Sequence, residues 1–465
     1  MFIREKQFYK TFFTLTLMMA AQNIVAVGVN LADNIMLGRY SETSLAAASL
    51  VNQIQYLLQM ISVAGVGTGA LAMVSQYWGK RELEPIRRII ALAMKFAAVV
   101  GLLFFSITFF FPKNVMRVLT NQPAIQAEGV IYLRIMCFTY LTFPLQSMIT
   151  MSLRGVRTII IGPVVSAISL ITNILLNYMF IFGNWGAAEM GIHGAAVATL
   201  IARILELFIV LIYVRFIDQK LRLRIFSFFK PDAHYLRDFA RAAFPVIASG
   251  ASWGIGMTIQ TMILGHLGET VIAANSIAIV VYQIITVYAH GACNTSSVMM
   301  GNAIGAGQMD RIRPYARTFQ LLFVINGVVT GLVLFLARDL ILNMYILAEN
   351  TRELAHSFMV IMSVVAMFAA YEYPVQCGII LGGGNTRYAF IVDTLFVWFF
   401  MLPLSALSAF VWKLSPIITF IILKADQFLK CIPNGIVVNR YRWVRILTRE
   451  EVAASEDLTN SSNNI

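Results

Sequence analysis

Long stretches without a single charged residue constrain this chain more than any other feature. Residues 159–182 carry no charge, and residues 46–77 form a still longer uncharged stretch. A helix needs roughly 20 mostly apolar residues to cross the hydrocarbon core of a bilayer. Both stretches are therefore predicted to be membrane-spanning helices.

The composition of the whole chain supports the same interpretation. The 465 residues are 59% hydrophobic and 12% charged, whereas a soluble domain carries about 25% charged residues. Similar apolar stretches predict about twelve spans, which begin near Thr11, Leu45, Ala91, Gly129, Ile159, Gly194, Ala242, Val271, Phe319, Ala355, Tyr388 and Ser415. The predicted fold is an all-α polytopic membrane protein.

The basic residues lie in short clusters between the apolar stretches. The net charge of +12 is therefore not concentrated on one domain, which argues against nucleic-acid binding. A cytoplasmic N-terminus would place roughly 26 lysines and arginines inside and about 6 outside, as the positive-inside rule requires. We expect an inner (plasma) membrane protein with an even number of spans and both termini in the cytoplasm.

An internal repeat divides the chain into two halves. Residues 37–49 (LGRYSETSLAAAS) correspond to residues 264–276 (LGHLGETVIAANS). Three further pairs keep this order at an offset of about 226 to 230 residues: 76–79 with 302–305, 144–146 with 374–376, and 154–158 with 382–386. Since six spans separate the copies, both halves insert in the same orientation, related by a pseudo-twofold axis along the membrane normal. We predict six-helix lobes at residues 1–225 and 226–432 and a polar cytoplasmic tail at 433–465.

The repeated segments resemble the MATE (multidrug and toxic compound extrusion) transporters of bacteria, of the NorM or DinF type. The resemblance covers about residues 11–431, and residues 183–199 (GNWGAAEMGIHGAAVAT) are similar to the family's link between helices five and six. It implies two bundles that flank a central cleft. It also implies efflux of organic cations or amphipathic compounds, driven by inward movement of H⁺ or Na⁺.

The resemblance also indicates where the coupling ion binds. Asp33 is the only acid in the first span, where family members use an aspartate for coupling, and charges inside spans are costly. Asn173 and Asn177 share one helix face, and Thr199 matches a threonine of the same family pocket. The DinF type has aspartate at the second asparagine position, so Asn177 is closer to the NorM type. The alternatives are a solvated Asp33 at the outer interface and asparagines that join helices by hydrogen bonds.

The second lobe departs from the NorM pattern. No acid lies between residues 245 and 268, and Trp253 aligns with that branch's helix-seven glutamate. Its helix-ten aspartate aligns with Tyr373, beside Glu372, and Asp393 is a further lone acid in a span. We therefore expect coupling in the N-terminal lobe.

Polar residues in apolar spans should face the substrate cleft, because lipid cannot satisfy their hydrogen bonds. The predicted cleft residues are Gln22, Gln53, Gln55, Gln59, Gln283, Glu372 and Tyr373. His290 is either a cleft residue or a packed core histidine. Proline inside a span removes a backbone hydrogen bond, so Pro144, Pro245 and Pro374 either allow bending or form static kinks.

The predicted function is a secondary antiporter, and we expect a monomer without a cofactor. The main alternative is a flippase for a lipid-linked precursor or another lipid, in the same superfamily. A membrane-embedded enzyme is disfavoured, since the five histidines have no ligand spacing and the four cysteines form no CxxC pair. A passive channel would need a filter-like motif, which is not apparent.

Overall fold

The computed structural model describes residues 2–221, 233–343 and 348–448, where all regular secondary structure is helical. The first lobe contains α1 (Lys6–Tyr40), α2 (Glu42–Lys80), α3 (Leu83–Phe110), α4 (Pro112–Leu119), α5 (Pro123–Met136), α6 (Thr139–Gly155), α7 (Ile161–Phe182) and α8 (Ile192–Ile217). The second lobe contains α9 (Ala233–His266), α10 (Glu269–Gly305), α11 (Met309–Leu342), α12 (Glu349–Leu381), α13 (Thr386–Val411), α14 (Pro416–Leu429) and α15 (Cys431–Arg440).

Nine helices of the described ranges are long and apolar enough to cross a membrane. A tenth span is α10, which is bent by 43° between Thr270–Ile284 and Thr286–Gly305. The consecutive pairs α5–α6 and α14–α15, each interrupted by a short break, lie where the other two predicted spans are expected. This agrees with the predicted all-α membrane fold of about twelve spans, in which each helix satisfies its own backbone hydrogen bonds.

Each lobe has an apolar cluster of its own, and other buried clusters contain residues of both lobes. One buried cluster joins Leu37, Leu133 and Ile192 within the first lobe, and another joins Leu264 and Phe358 within the second. The predicted lobe boundary at residues 225 and 226 lies outside the described ranges. The expected end of the second lobe, at residue 432, falls inside α15 instead. Pro433 lies in the first turn of α15 and does not end the helix. Backbone N–H groups in a first turn have no intrahelical partner, so a proline there removes no hydrogen bond.

Both ends of the described chain meet on one face of the molecule. Ile3 and Phe8, at the start of α1, share a buried apolar cluster with Val438 and Trp443, at and beyond the end of α15. We call this side of the molecule the terminal face.

The lobes touch each other in the half of the molecule nearest the terminal face. Thr16 of α1 donates a hydrogen bond to Thr295 of α10 at 3.2 Å. Near the ends of α10 and α2, Gly305 of α10 lies very close to the carbonyl oxygen of Gln76 in α2. A Cβ atom at position 305 would overlap this oxygen. Glycine allows this backbone approach because it has no side chain.

We predict that Gly305→Ala destabilises the contact between the lobes, because the added methyl group must displace the α2 backbone. Overpacking of this kind costs about 1–3 kcal/mol, so the midpoint of thermal unfolding in detergent should fall. Gly265→Ala, near the end of α9, is the matched control, since no atom lies within 4 Å of its added Cβ. An unchanged midpoint for Gly305→Ala would show that the two helices are not in tight contact.

Candidate functional site

A chain of hydrogen bonds connects four polar residues inside the first lobe. The Nδ2 of Asn177 donates to Oδ1 of Asp33 at 2.5 Å and to Oδ1 of Asn173 at 3.1 Å. The Nδ2 of Asn173 donates to Oγ1 of Thr199 at 3.3 Å. The structure thus brings together the four residues that the sequence predicts for ion coupling.

Helix packing produces this arrangement. Asp33 comes from α1, Thr199 from α8, and the two asparagines occupy adjacent turns on one face of α7. All four residues are buried, and Asp33 is only 7% exposed. Although Asn177 uses its amide N–H₂ group twice, its Oδ1 atom is buried without a hydrogen-bond donor among the described residues. The site therefore has an unused acceptor oxygen close to a carboxylate.

No basic residue of the described ranges forms an ion pair with Asp33. The nearby acid of the same lobe, Glu206, is neutralised by Arg203 at 2.9 Å, as their spacing on α8 suggests. The Arg203 guanidinium also lies over the ring of Phe143, 5.2 Å from its centre. Asp33 consequently differs from Glu206, since Arg203 forms its ion pair with Glu206 and acts on Asp33 only as a more distant charge.

A second polar network lies inside the other lobe. Asp393 of α13 accepts hydrogen bonds from Ser249 of α9 at 2.5 Å, Gln376 of α12 at 2.9 Å and Lys430 at 3.0 Å. Lys430, between α14 and α15, is 2% exposed and also pairs with Asp426 at 3.4 Å. One ammonium group therefore holds two buried carboxylates.

Asn434 extends this network to the third acid. Its Nδ2 atom donates to Oε1 of Glu372 at 3.3 Å and to Oε1 of Gln376 at 3.1 Å. Sequence reasoning did not find Lys430, Asp426 or Asn434, because they lie in the weakly apolar last span. The spacing of Asp426 and Lys430, four residues apart on an apolar segment, is the sequence signal that indicates such an internal ion pair.

Glu372 requires a correction to the predicted cleft. It is buried inside the second lobe and 5% exposed, so its carboxylate joins the internal network and does not line an open cleft wall. The next side chain along α12, Tyr373, points the other way and is 37% exposed. Its ring lies edge-on to that of His290, with centres 4.7 Å apart. His290 is itself exposed, which disfavours the interpretation as a core histidine.

The predicted glutamines occupy different environments. Gln53, Gln59 and Gln283 are exposed, and Gln55 is half-buried. Gln22 is half-buried inside the first lobe, where its Oε1 accepts a hydrogen bond from the guanidinium of Arg154 at 2.7 Å. Gln22 thus pairs with a residue of α6.

The predicted prolines all lie in helices. Pro144 is inside α6 and Pro245 inside α9. Pro374 begins a widened helical turn, Pro374–Leu381, within α12, as expected where a backbone donor is missing. Their role in bending stays a prediction.

Comparison with known proteins identifies the family. The MatE family model matches residues 19–179 and 245–407, once in each lobe, and the matches start 226 residues apart, as the internal repeat predicts. "Probable multidrug resistance protein NorM" of Thermotoga maritima is 23% identical over 448 residues, which cover 95% of each chain. "Multidrug resistance protein NorM" of Photobacterium profundum is 21% identical, over 87% of this chain and 88% of that relative.

Solved structures show the same fold. A Vibrio cholerae MATE transporter superposes with a TM-score of 0.84 at 17% identity, over 94% of this chain and 98% of that chain. A MOP superfamily transporter from Pyrococcus furiosus superposes with a TM-score of 0.83 at 16% identity, over 95% and 97% of the two chains. Because the family model matches both lobes and more than half of the sequence, this chain belongs to the MatE family, as its motifs predict.

Proposed function

We propose that this protein is a secondary antiporter that exports organic cations or amphipathic compounds in exchange for H⁺ or Na⁺, with Asp33 as the coupling residue. The names of its NorM relatives, which are multidrug resistance proteins, support the efflux activity. The observation that carries the proposal is the buried Asp33 carboxylate, which has hydrogen-bond partners but no ion-pair partner among the residues that the structure describes.

The position of Asp33 suits an ion that enters from one side. We propose that the terminal face lies in the cytoplasm, in accord with the distribution of basic residues. Asp33 is seven residues from the end of α1 at Tyr40, or roughly 10 Å along the axis. The site therefore lies nearer the external side, and contact between the lobes at the terminal face separates it from the cytoplasm.

Ion binding would change the hydrogen bonds that join α1, α7 and α8. The Asn177 amide now contacts the Asp33 carboxylate at 2.5 Å. A proton would neutralise the negative charge of this carboxylate, and a bound Na⁺ would compete with the amide for its oxygen atoms. Na⁺ prefers oxygen ligands, and the donor-free Oδ1 of Asn177 is an available one. The packing of the three helices would then differ between the ion-bound and ion-free states, and this difference couples ion binding to the conformational equilibrium.

The second lobe is less suited to bind a free coupling ion. Lys430 already supplies a positive charge to Asp393 and Asp426 at 3.0 and 3.4 Å. We propose that the buried triad of Lys430, Asp393 and Asp426 is structural. The ammonium group of Lys430 then occupies the position that a mobile cation would need. Coupling by the first lobe alone follows from this difference.

We predict that Asp33→Asn abolishes ion-driven efflux, because the amide is isosteric but can neither take up a proton nor attract a cation. The measurement is efflux of a fluorescent organic cation from cells, with the sodium and pH gradients collapsed separately. The gradient on which wild-type efflux depends identifies the coupling ion.

Asp339→Asn is the matched control for this substitution. Asp339 is an exposed carboxylate, 61% accessible, at the end of α11, so its variant should transport like the wild type. Wild-type efflux by Asp33→Asn at equal expression would refute the coupling role. Absence of efflux from the wild type under every gradient would favour a lipid substrate, as in the flippase alternative.

We predict that Lys430→Met destabilises the protein by about 3–5 kcal/mol, because it leaves two buried carboxylates without their counter-charge. The unfolding midpoint should fall markedly, and the second substitution Asp393→Asn should recover part of the loss. Lys113→Met, on the exposed surface of α4, is the control and should change stability by about 0.5 kcal/mol or less. A Lys430→Met protein as stable as the wild type would mean that the triad is not an internal ion pair.

A further inference from the structure

The chain that follows the last helix crosses from one lobe to the other. Helix α15 ends at Arg440, and Tyr441 adopts a left-handed backbone conformation with φ of 55°. After this turn the chain continues without regular secondary structure as far as the described residues go. We call residues 441–448 (YRWVRILT) the C-terminal strap.

Trp443 fixes the strap to the second lobe. Its ring is fully buried, and its indole N–H donates to the carbonyl oxygen of Val438 at 2.9 Å. The ring packs directly against Gly383, in the link between α12 and α13, where any side chain would overlap it. Because Gly383 has no side chain, it leaves room for the Trp443 ring, and the two residues together form a specific pocket for this tryptophan.

One residue of the strap forms backbone hydrogen bonds to both lobes. The N–H of Arg445 donates to the carbonyl oxygen of Gly383, in the second lobe, at 2.8 Å. Its carbonyl oxygen accepts a hydrogen bond from Nε2 of Gln76, in α2 of the first lobe, at 3.0 Å. Residue 445 is therefore a bridge between the lobes.

Gln76 binds the strap as a neighbouring β-strand would. Its Nε2 donates to the carbonyl of Arg445, and its Oε1 accepts from the N–H of Leu447 at 2.7 Å. A single side-chain amide thus satisfies the donor and the acceptor of alternate residues in an extended chain. Gln76 is fully buried, so loss of the strap would leave both of its amide atoms without these partners.

The side chain of Leu447 reinforces the bridge. It packs against a small apolar cluster that contains Ala72 of the first lobe and Val246, Leu381 and Ala389 of the second. These contacts lie at the terminal face, beside the close approach of Gln76 and Gly305. Any motion that separates the lobes on this face must first detach the strap from Gln76 or from its own lobe.

We propose that the terminal face carries an interaction surface whose partner is the chain's own C-terminal strap, and that docking of the strap on Gln76 holds the lobes closed on this face. Trp443 and Gly383 keep the strap on the second lobe. Release from the first lobe therefore breaks the bonds to Gln76 and disturbs the packing of Leu447 on the cluster that contains Ala72, and it permits opening toward the terminal face.

The test measures the distance between the lobes in the full-length protein. Spin labels at Arg81 of the first lobe and Gln308 of the second would report it, because both residues line a cavity of about 500 Å³ between the lobes at this face. The labels are introduced as cysteines after Cys137, Cys293, Cys377 and Cys431 have been replaced by serine or alanine. Pulsed electron paramagnetic resonance then gives the populations of short and long distances.

Two substitutions of one strap residue separate the effect of the backbone from that of the side chain. Arg445→Pro removes the N–H that bonds to Gly383, so the carbonyl of residue 445 is no longer held opposite Gln76. Arg445→Ala removes an exposed side chain and keeps both backbone bonds. We expect the ratio of long to short distances to rise on the order of fivefold or more in Arg445→Pro and to stay unchanged in Arg445→Ala.

Truncation after Arg440 removes the whole strap and should give the largest long-distance population. If the truncated protein does not fold, the comparison of Arg445→Pro with Arg445→Ala still decides the question. A distance distribution in Arg445→Pro equal to that of the parent protein would overturn the proposal, and so would equal effects of the two substitutions. The measurement needs neither substrate nor coupling ion, so its failure would not bear on the role of Asp33.

Discussion

The structure depends on one constraint, which is that polar groups placed between apolar helices must find partners within the protein. The bilayer interior offers no water to satisfy them. Helices meet this requirement for the backbone, and the charged side chains meet it through specific contacts inside each lobe. Where a carboxylate is buried, the nature of its partner decides what it can do.

The two lobes solve the same problem differently. In the second lobe, Lys430 contacts Asp393 and Asp426, so positive and negative charges are balanced by the chain itself. In the first lobe, Asp33 accepts a hydrogen bond from the neutral amide of Asn177 and has no ion pair with any basic residue of the described ranges. A proton or a bound cation would stabilise such a carboxylate in an apolar setting, which is the basis of the coupling role proposed for Asp33. Two halves that share one repeated pattern thus differ in their electrostatics.

The contact between the lobes is built from backbone as much as from side chains. Gly305 allows α10 to lie against α2, and residue 445 bonds through its backbone to Gly383 and Gln76. Hydrogen bonds of this kind can break and reform without the large desolvation changes that buried charges require. They suit the proposed opening of the lobes at this face, and the charged networks lie inside the lobes.

The membrane class and the two-lobe organisation follow from the sequence alone, whereas the grouping of Asp33 and Thr199 with the two asparagines followed from the resemblance to the MATE family. Uncharged stretches, basic clusters and a repeat near 227 residues are local or periodic features, and Asn173 and Asn177 share a face through helical spacing alone. The tertiary structure decided what depends on distant segments. Lys430 pairs with Asp393 across 37 residues of sequence, Glu372 is buried inside its lobe, and Gln76 bonds to Leu447, 371 residues away. Hydropathy and spacing describe only neighbours along the chain, whereas each of these contacts depends on how helices from different parts of the chain pack.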